Sequence, residues 1–264
     1  MTPATENARE SCREIRRNIL RASHASGNGH IPTSFSIVEL LWAVYWFMRH
    51  DPRRPDWPER DLFLLSKGHG SLGLYCVLAR LGYFPEQEVH TFGAHGSRFG
   101  CHPDRRKVPG VEASTGSLGH GIGLAVGMAL AFRLQDVSRR AYVLIGDGES
   151  NEGTVWEALQ VAAYQRLSNM TVLFDGNRSQ TRSLPIENAS EKFRAFGCEV
   201  VEVDGHDVAE IRRALQLPQD TIKVVVARTV KGFGCKTLVD GVFEWHRKAP
   251  NDEQLQALLR ELDA

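Results

Sequence analysis

Tyr142-Val-Leu-Ile-Gly-Asp147-Gly148-Glu149-Ser-Asn-Glu152-Gly153 decides the fold: an apolar run of strand character ends in Gly-Asp-Gly, and a helical pattern starts a few residues later. In an open α/β sheet, ligands sit beyond the carboxyl ends of the strands, so Asp147 is placed to project into a crevice. Gly148 lets the backbone approach a ligand and offers its N–H to an anion. The next apolar run leads into Asp175-Gly176-Asn177, which puts Asn177 beside Asp147 at the same sheet edge. One carboxylate and one amide oxygen form a hard donor set suited to Mg²⁺ or Ca²⁺, in a site completed by substrate phosphates and water. Gly-Asp-Gly alone is a common capped turn. Asn177 is what turns the reading towards a metal–diphosphate site.

Outward from this unit, hydrophobic periodicity predicts helices over 6–26, 72–81, 118–134, 155–166, 191–196, 208–215 and 252–262. A further helix, capped by Ser34 or Ser36, is expected to run to Met48. Strands are expected over 62–65, 141–145, 170–174, 199–203 and 223–227. Such alternation means a doubly wound α/β fold, with a mostly parallel sheet and helices on both faces, spanning 1–264 as one domain. A loop over 92–114 lacks periodicity, and loops of that length inside a compact domain are usually functional. The 118–134 helix carries Gly119, Gly123 and Gly127, four apart. Small residues at that spacing let another backbone come close, as at a subunit interface.

Composition narrows the classes. The 264 residues carry 32 basic and 32 acidic side chains, so no global field points to nucleic acid or membrane. The longest basic cluster, 104–107, reads as a solvated loop. No stretch approaches the roughly 20 apolar residues of a membrane span, and the polar N-terminus is no secretory signal. Five scattered cysteines, without a Cys-x-x-Cys pair, argue against a disulfide framework or zinc site and fit a reducing cytoplasm.

Gly68-His-Gly-Ser-Leu-Gly73 has the Gly-x-Gly-x-x-Gly spacing of a dinucleotide fingerprint, follows an apparent strand and opens a helix. The fingerprint also needs a second parallel strand directly after that helix, with an acidic residue at its end. Here the chain runs through Pro85-Glu-Gln-Glu-Val89 into a polar loop, so the dinucleotide reading is set aside.

The Gly-Asp-Gly followed about thirty residues later by Asn177 resembles the thiamine-diphosphate fingerprint. Further segments resemble transketolase in order and spacing: Gly29-His30, Ser66-Lys67-Gly68-His69-Gly70, Cys101-His102-Pro103, Gly116-Ser117-Leu118-Gly119-His120-Gly121 and Glu244-Trp245-His246 with Lys248-Ala249-Pro250. The resemblance runs over nearly the whole chain. It implies the diphosphate-binding domain of a thiamine-diphosphate enzyme that uses Mg²⁺, or Ca²⁺, to move a two-carbon ketol unit from a ketose or ketose phosphate to an aldehyde. Asp147, Asn177 and the Ser179 carbonyl would ligate the metal. Gly148 would contact the diphosphate, with His69 and His246 near it, and Asn177 would serve both metal and cofactor. Gly116 and Leu118 would meet the aminopyrimidine or thiazolium. His30, His69 and His102 would line the donor hydroxyls and reacting carbonyl, where imidazole near neutral pH is both acid and base. Glu152, with His246, completes the expected catalytic and cofactor set; it would link two cofactor sites across a dimer, and otherwise reads as a first-turn acid complementing the helix dipole. His24, His50, His90, His95 and His206 match no motif and read as ordinary surface or core histidines.

A complete transketolase also has an aminopyrimidine-binding domain, with an activating glutamate, and a C-terminal domain. Their absence from 1–264 leads us to expect both on a partner chain, in a heterotetramer of two sites that self-associates across the glycine-bearing helix. The sequence departs from the family at Pro32, at Leu184-Pro185 and at Arg247, which puts the substrate rather than the cofactor in question. Two alternatives stay open: delivery of the two-carbon unit to a non-sugar or carrier-bound acceptor, and a cofactor-binding subunit without catalysis.

Overall fold

The structure is a computed structural model that describes the backbone of residues 5–263 and the side chains of 8–263; Met1–Ala4 and Ala264 of the expected domain lie outside the described residues. Five strands, β1 (Leu62–Leu65), β2 (Ala141–Gly146), β3 (Met170–Gly176), β4 (Glu199–Asp204) and β5 (Lys223–Arg228), form one parallel sheet in the order β1-β2-β3-β5-β4. Successive side chains on a strand point to opposite faces, and both faces here are apolar. Phe63, Leu65, Tyr142, Leu144, Leu173 and Val225 enter one core; Leu64, Val143, Ile145, Val172, Phe174 and Val224 enter the other. Strands buried on both sides need helices on both sides.

The first core is closed by α1 (Thr5–Ser26), α2 (Ile31–Ser36), α3 (Val38–Phe47), α4 (Ser71–Leu81), α8 (Val208–Gln216), the short α9 (Lys236–Asp240) and α10 (Asp252–Asp263). The second is closed by α5 (His120–Leu134), α6 (Gly153–Tyr164) and α7 (Ala189–Ala195). The doubly wound parallel fold expected from the alternation is what forms.

Two local expectations are corrected. The helix assigned to 34–48 is two helices broken at Ile37, and neither Ser34 nor Ser36 caps one. Pro32 sits in the first turn of α2, where its missing N–H costs nothing. Ser36 Oγ instead donates to the buried carboxylate of Asp175 at 2.9 Å. Gly119 likewise lies before α5 rather than within it, in a left-handed conformation (φ 80°) that glycine adopts without strain.

The glycines of the dinucleotide-like spacing are filled by protein. A Cβ on Gly68 would come within 2.7 Å of the Thr115 carbonyl oxygen, and one on Gly73 within 3.1 Å of that of Ser34. Gly68 and Gly73 pack backbone on backbone and Gly70 packs against the Ile37 side chain, leaving no cradle for a pyrophosphate.

Candidate active site

The carboxyl ends of β1, β2, β3 and β5 empty into one cavity of about 520 Å³. Lys67 and His69 reach it from the end of β1, Asp147 and Gly148 from β2, Asn177, Ser179 and Gln180 from β3, and Lys231 from the loop after β5. His30 and Thr33 enter at α2, His102, Gly116 and Leu118 from the long 92–119 segment, and Phe243, His246 and Arg247 from the segment after α9.

At the centre, Asp147 and Asn177 converge on one donor. The Ser179 backbone N–H donates to Asp147 Oδ2 at 2.7 Å and to Asn177 Oδ1 at 3.0 Å, so the two oxygens face the same point. Ser179 Oγ and the Gly148 N–H donate to Asp147 Oδ1 at 2.8 and 2.7 Å. Asp147 and Asn177 are both buried. Two hard oxygens converging beside a glycine backbone fit a divalent cation that takes its remaining ligands from a diphosphate and water. Among the described residues no group of three or more His, Cys, Asp or Glu could hold a metal, so this oxygen pair is the candidate for one. A Cβ on Gly148 would stand 2.6 Å from the Gln180 side-chain amide nitrogen, so a side chain there would have to push Gln180 aside.

Asn177 is aimed by a residue that sequence reasoning passed over. Asp175, fully buried, accepts from Asn177 Nδ2 at 2.8 Å, which turns the amide oxygen towards Asp147. The same carboxylate pairs with the buried ammonium of Lys67 and accepts from Ser36 and Thr229. An Asp at this position is an outer support for the candidate metal ligand, of the kind that orients ligands elsewhere. Glu149 is the second missed acid. Its buried carboxylate takes the Ser66 hydroxyl and the backbone N–H groups of Gly119 (2.9 Å) and Gly146 (3.2 Å), tying the ends of β1 and β2 to the start of α5. Burial pushes its acidity down, raising the pKa above the ordinary value against those donors and Lys67.

The histidines form a cluster. The rings of His30 and His69 are 5.5 Å apart and those of His30 and His246 5.2 Å, both edge-on. His102 stands against Gly116, whose hypothetical Cβ would meet the ring at 3.0 Å. Burial, then the neighbouring His246 and Arg247, depresses His30 to about 4. Burial, then Lys67, takes His69 to about 2. His246 is lowered too, by burial and by Lys231, whose Nζ lies 3.4 Å from its Nδ1. Lys231 is itself drawn down to about 8, by burial and by Lys67, with Asp147 and Asp175 pulling the other way. The cavity therefore presents neutral imidazoles inside a cationic wall, which suits an anionic ligand and proton exchange with hydroxyls.

Of the residues named from sequence, His30, His69, His102, Gly116, Leu118, Asp147, Gly148, Asn177, Ser179 and His246 all line this cavity. Glu152 does not: it is exposed, at the N-terminus of α6, with its Cβ beside Gly119. His120 is also exposed, outside the cavity, bonded to the Leu118 carbonyl oxygen at 3.0 Å. Lys231 was missed because nothing local marks it; Lys67 stood inside a quoted motif, overshadowed by His69. Of the departures, the Pro32 carbonyl accepts the Gly232 N–H at 3.0 Å, the Leu184 carbonyl accepts from Asn151 Nδ2 at 3.0 Å, and Arg247 lines the mouth.

Residues 8–262 match the protein family described as "Transketolase, thiamine diphosphate binding domain". The chain is 39% identical to an apulose-4-phosphate transketolase subunit of Actinobacillus succinogenes, over 96% of this chain and 95% of that one. It is 38% identical to the 6-deoxy-6-sulfo-D-fructose transketolase subunit SqwG of a Clostridium species, over 94% of each chain. Among solved structures it is similar to Campylobacter jejuni transketolase (TM-score 0.89, 26% identity, 98% of this chain and 43% of that one). It is equally similar to Pichia stipitis transketolase complexed with sedoheptulose 7-phosphate (TM-score 0.89, 28% identity, 97% and 40%). The chain thus spans about two fifths of the solved transketolases' length.

Proposed function

Because the chain belongs to the transketolase family, in the part that binds thiamine diphosphate, we propose that it is the diphosphate-binding subunit of a two-chain transketolase. In this reading it moves a two-carbon ketol unit from a ketose donor to an aldehyde acceptor. The observation that carries the reading is the convergence of Asp147 and Asn177 on one N–H beside Gly148, in a cavity that also holds the histidine cluster. Asp147, Asn177 and the Ser179 backbone carbonyl would hold Mg²⁺, and Gly148, Lys231 and His246 would face the diphosphate. When bound, thiamine diphosphate supplies the electron sink for breaking and making the carbon–carbon bond. His30, His69 and His102 would exchange protons with the donor's hydroxyls and orient its carbonyl.

The two relatives named above carry in their names sugars ending in a phosphate and in a sulfonate. A ketose or aldehyde with an anionic end suits this cavity as well, since Arg247 at its mouth makes no salt bridge among the described residues. Both relatives are named as subunits of a transketolase, which implies a second chain in each, and a partner chain follows for this protein. We assign to that partner the aminopyrimidine-binding and C-terminal domains, and we place self-association to a heterotetramer on the face that α5 and α6 share. Glu152 would meet its counterpart there.

Calorimetry tests the reading. Thiamine diphosphate with Mg²⁺, titrated into the chain together with its partner, should bind, and Asp147→Ala should abolish the Mg²⁺-dependent part. Unchanged affinity in the variant would remove the metal assignment. A donor screen, xylulose 5-phosphate against pyruvate, separates ketol transfer from α-keto-acid decarboxylation.

A further inference from the structure

His206 matches no motif and lies outside the cavity, on the far side of the loop that carries Lys231. Its side chain is only 8% exposed, and its environment is specific. His206 Nδ1 lies 3.1 Å from Glu39 Oε2, while the Val230 backbone N–H donates to Nε2 at 2.9 Å. A ring nitrogen that accepts from Val230 has no proton of its own, so the imidazole is neutral with its proton on Nδ1, donated to Glu39. Glu39 is held in turn by a bidentate pair with buried Arg16, at 2.6 and 2.7 Å, and Arg16 also donates to the Phe35 carbonyl oxygen at 2.9 Å. The His206 ring stacks on Phe233, with centroids 3.6 Å apart. The turn that presents it has no slack: the Gly205 N–H donates to the Arg228 carbonyl at 2.9 Å, and a Cβ on Gly205 would fall 2.2 Å from Thr229 Cγ2.

The loop held this way is the one that crosses the active site. Thr229 donates to Asp175, Val230 to His206 and Gly232 to Pro32, and Lys231, between these three anchors, turns into the cavity. The Thr229 and Gly232 anchors end on β3 and α2; the His206 anchor runs through Glu39 and Arg16 to α3 and α1, and the Arg16 guanidinium also lies 5.1 Å from the Phe233 ring. We infer that His206, backed by Glu39 and Arg16, is a positioning residue that fixes the 229–233 loop so that Lys231 points at the anion site. What Lys231 is for rests on the reading of that cavity as a diphosphate site; how its loop is held does not.

The test uses the full chain without cofactor, so it stands even if that reading fails. In the unmodified, ¹⁵N-labelled chain, a through-hydrogen-bond ¹⁵N–¹⁵N coupling should link Val230 N to His206 Nε2; its absence overturns the inference without any variant. His206→Leu keeps apolar bulk over Phe233 and removes the acceptor. In it the Val230 amide should exchange with solvent faster by about tenfold or more, the equivalent of one lost hydrogen bond. Acylation of Lys231, scaled to exposed Lys107, should speed up with it, while the Ser66 and Gly119 amides keep their protection. His206→Gln, which restores an acceptor, should return both readouts towards the unmodified chain. Unchanged exchange at Val230 in the leucine variant, or equal acceleration of amides throughout the sheet, would each show that His206 does not act on the loop.

Discussion

At the scale of single residues, the site works by setting charge. His30 and His69 sit among cations and out of water, which holds them at about 4 and about 2. An unfolded histidine titrates near 6.5. Between about pH 6.5 and 4 the unfolded chain therefore binds protons that the folded chain refuses, so stability is complete above 6.5 and declines as pH falls through that window. Urea denaturation should show the decline, His30→Gln should lessen it while leaving the share that His69 contributes, and the His69 Cε1 resonance should not move between pH 7 and 5. A second outcome concerns Lys67 and Asp175, which form a buried ion pair. Lys67→Met leaves the carboxylate buried without its cation and should cost about 3–5 kcal/mol in denaturant unfolding. Legibility at this scale followed local signatures. Asp147 and Asn177 stand at strand ends in a recognisable frame, and the motif histidines lie on glycine-rich loops. Asp175 and Lys67 were written in the same segments, yet their partnership spans 108 residues and depends on β1 and β3 ending at one edge. Lys231 and His206 have no local frame at all, and only the folded loop reveals them.

Elements carry the next level of control. The strands and most helices were readable because each is apolar on the faces it buries; the exceptions are places where tertiary chemistry took over a residue. Ser36 has the composition of a helix cap, but it closes α2, which starts with Pro32 in its first turn, its hydroxyl faces Asp175 and the Thr33 carbonyl, and the helix breaks at Ile37. Within α5, Gly121 packs on Ser66, whereas Gly123 and Gly127 have nothing within 4 Å of a hypothetical Cβ. Leu124 beside them is 47% exposed, and on α6 Val161 and Tyr164 are 46% and 85% exposed. An apolar face with bare glycines suits close approach by another backbone. Leu124→Arg should therefore lower the association state seen by sedimentation, while the melting temperature at low protein concentration stays put. Unaltered sedimentation would move the self-association surface elsewhere.

For the whole molecule, the order β1-β2-β3-β5-β4 could not be read from the chain, because alternation fixes that strands are parallel but not which neighbours they choose. That order matters, since it brings the β5 loop with Lys231 beside the ends of β2 and β3. It also shows what the cavity lacks. The acids lining it are Asp147 and Glu149. Asp147 faces the candidate metal point, and Glu149 is fully engaged by Ser66, Gly119 and Gly146. Neither is free to activate an aminopyrimidine ring, and Glu152, exposed on α6, is outside the cavity. In the proposed reading, a carboxylate for that purpose would come from the partner chain of a split transketolase. The expected outcome is almost no ketol transfer by this chain alone, and recovery of turnover on adding the partner, saturating at one partner per chain. Steady-state assay of xylulose 5-phosphate consumption with an aldehyde acceptor, across a titration of partner, measures it. Robust turnover by the isolated chain would place the activating group within these residues and remove the need for the second chain.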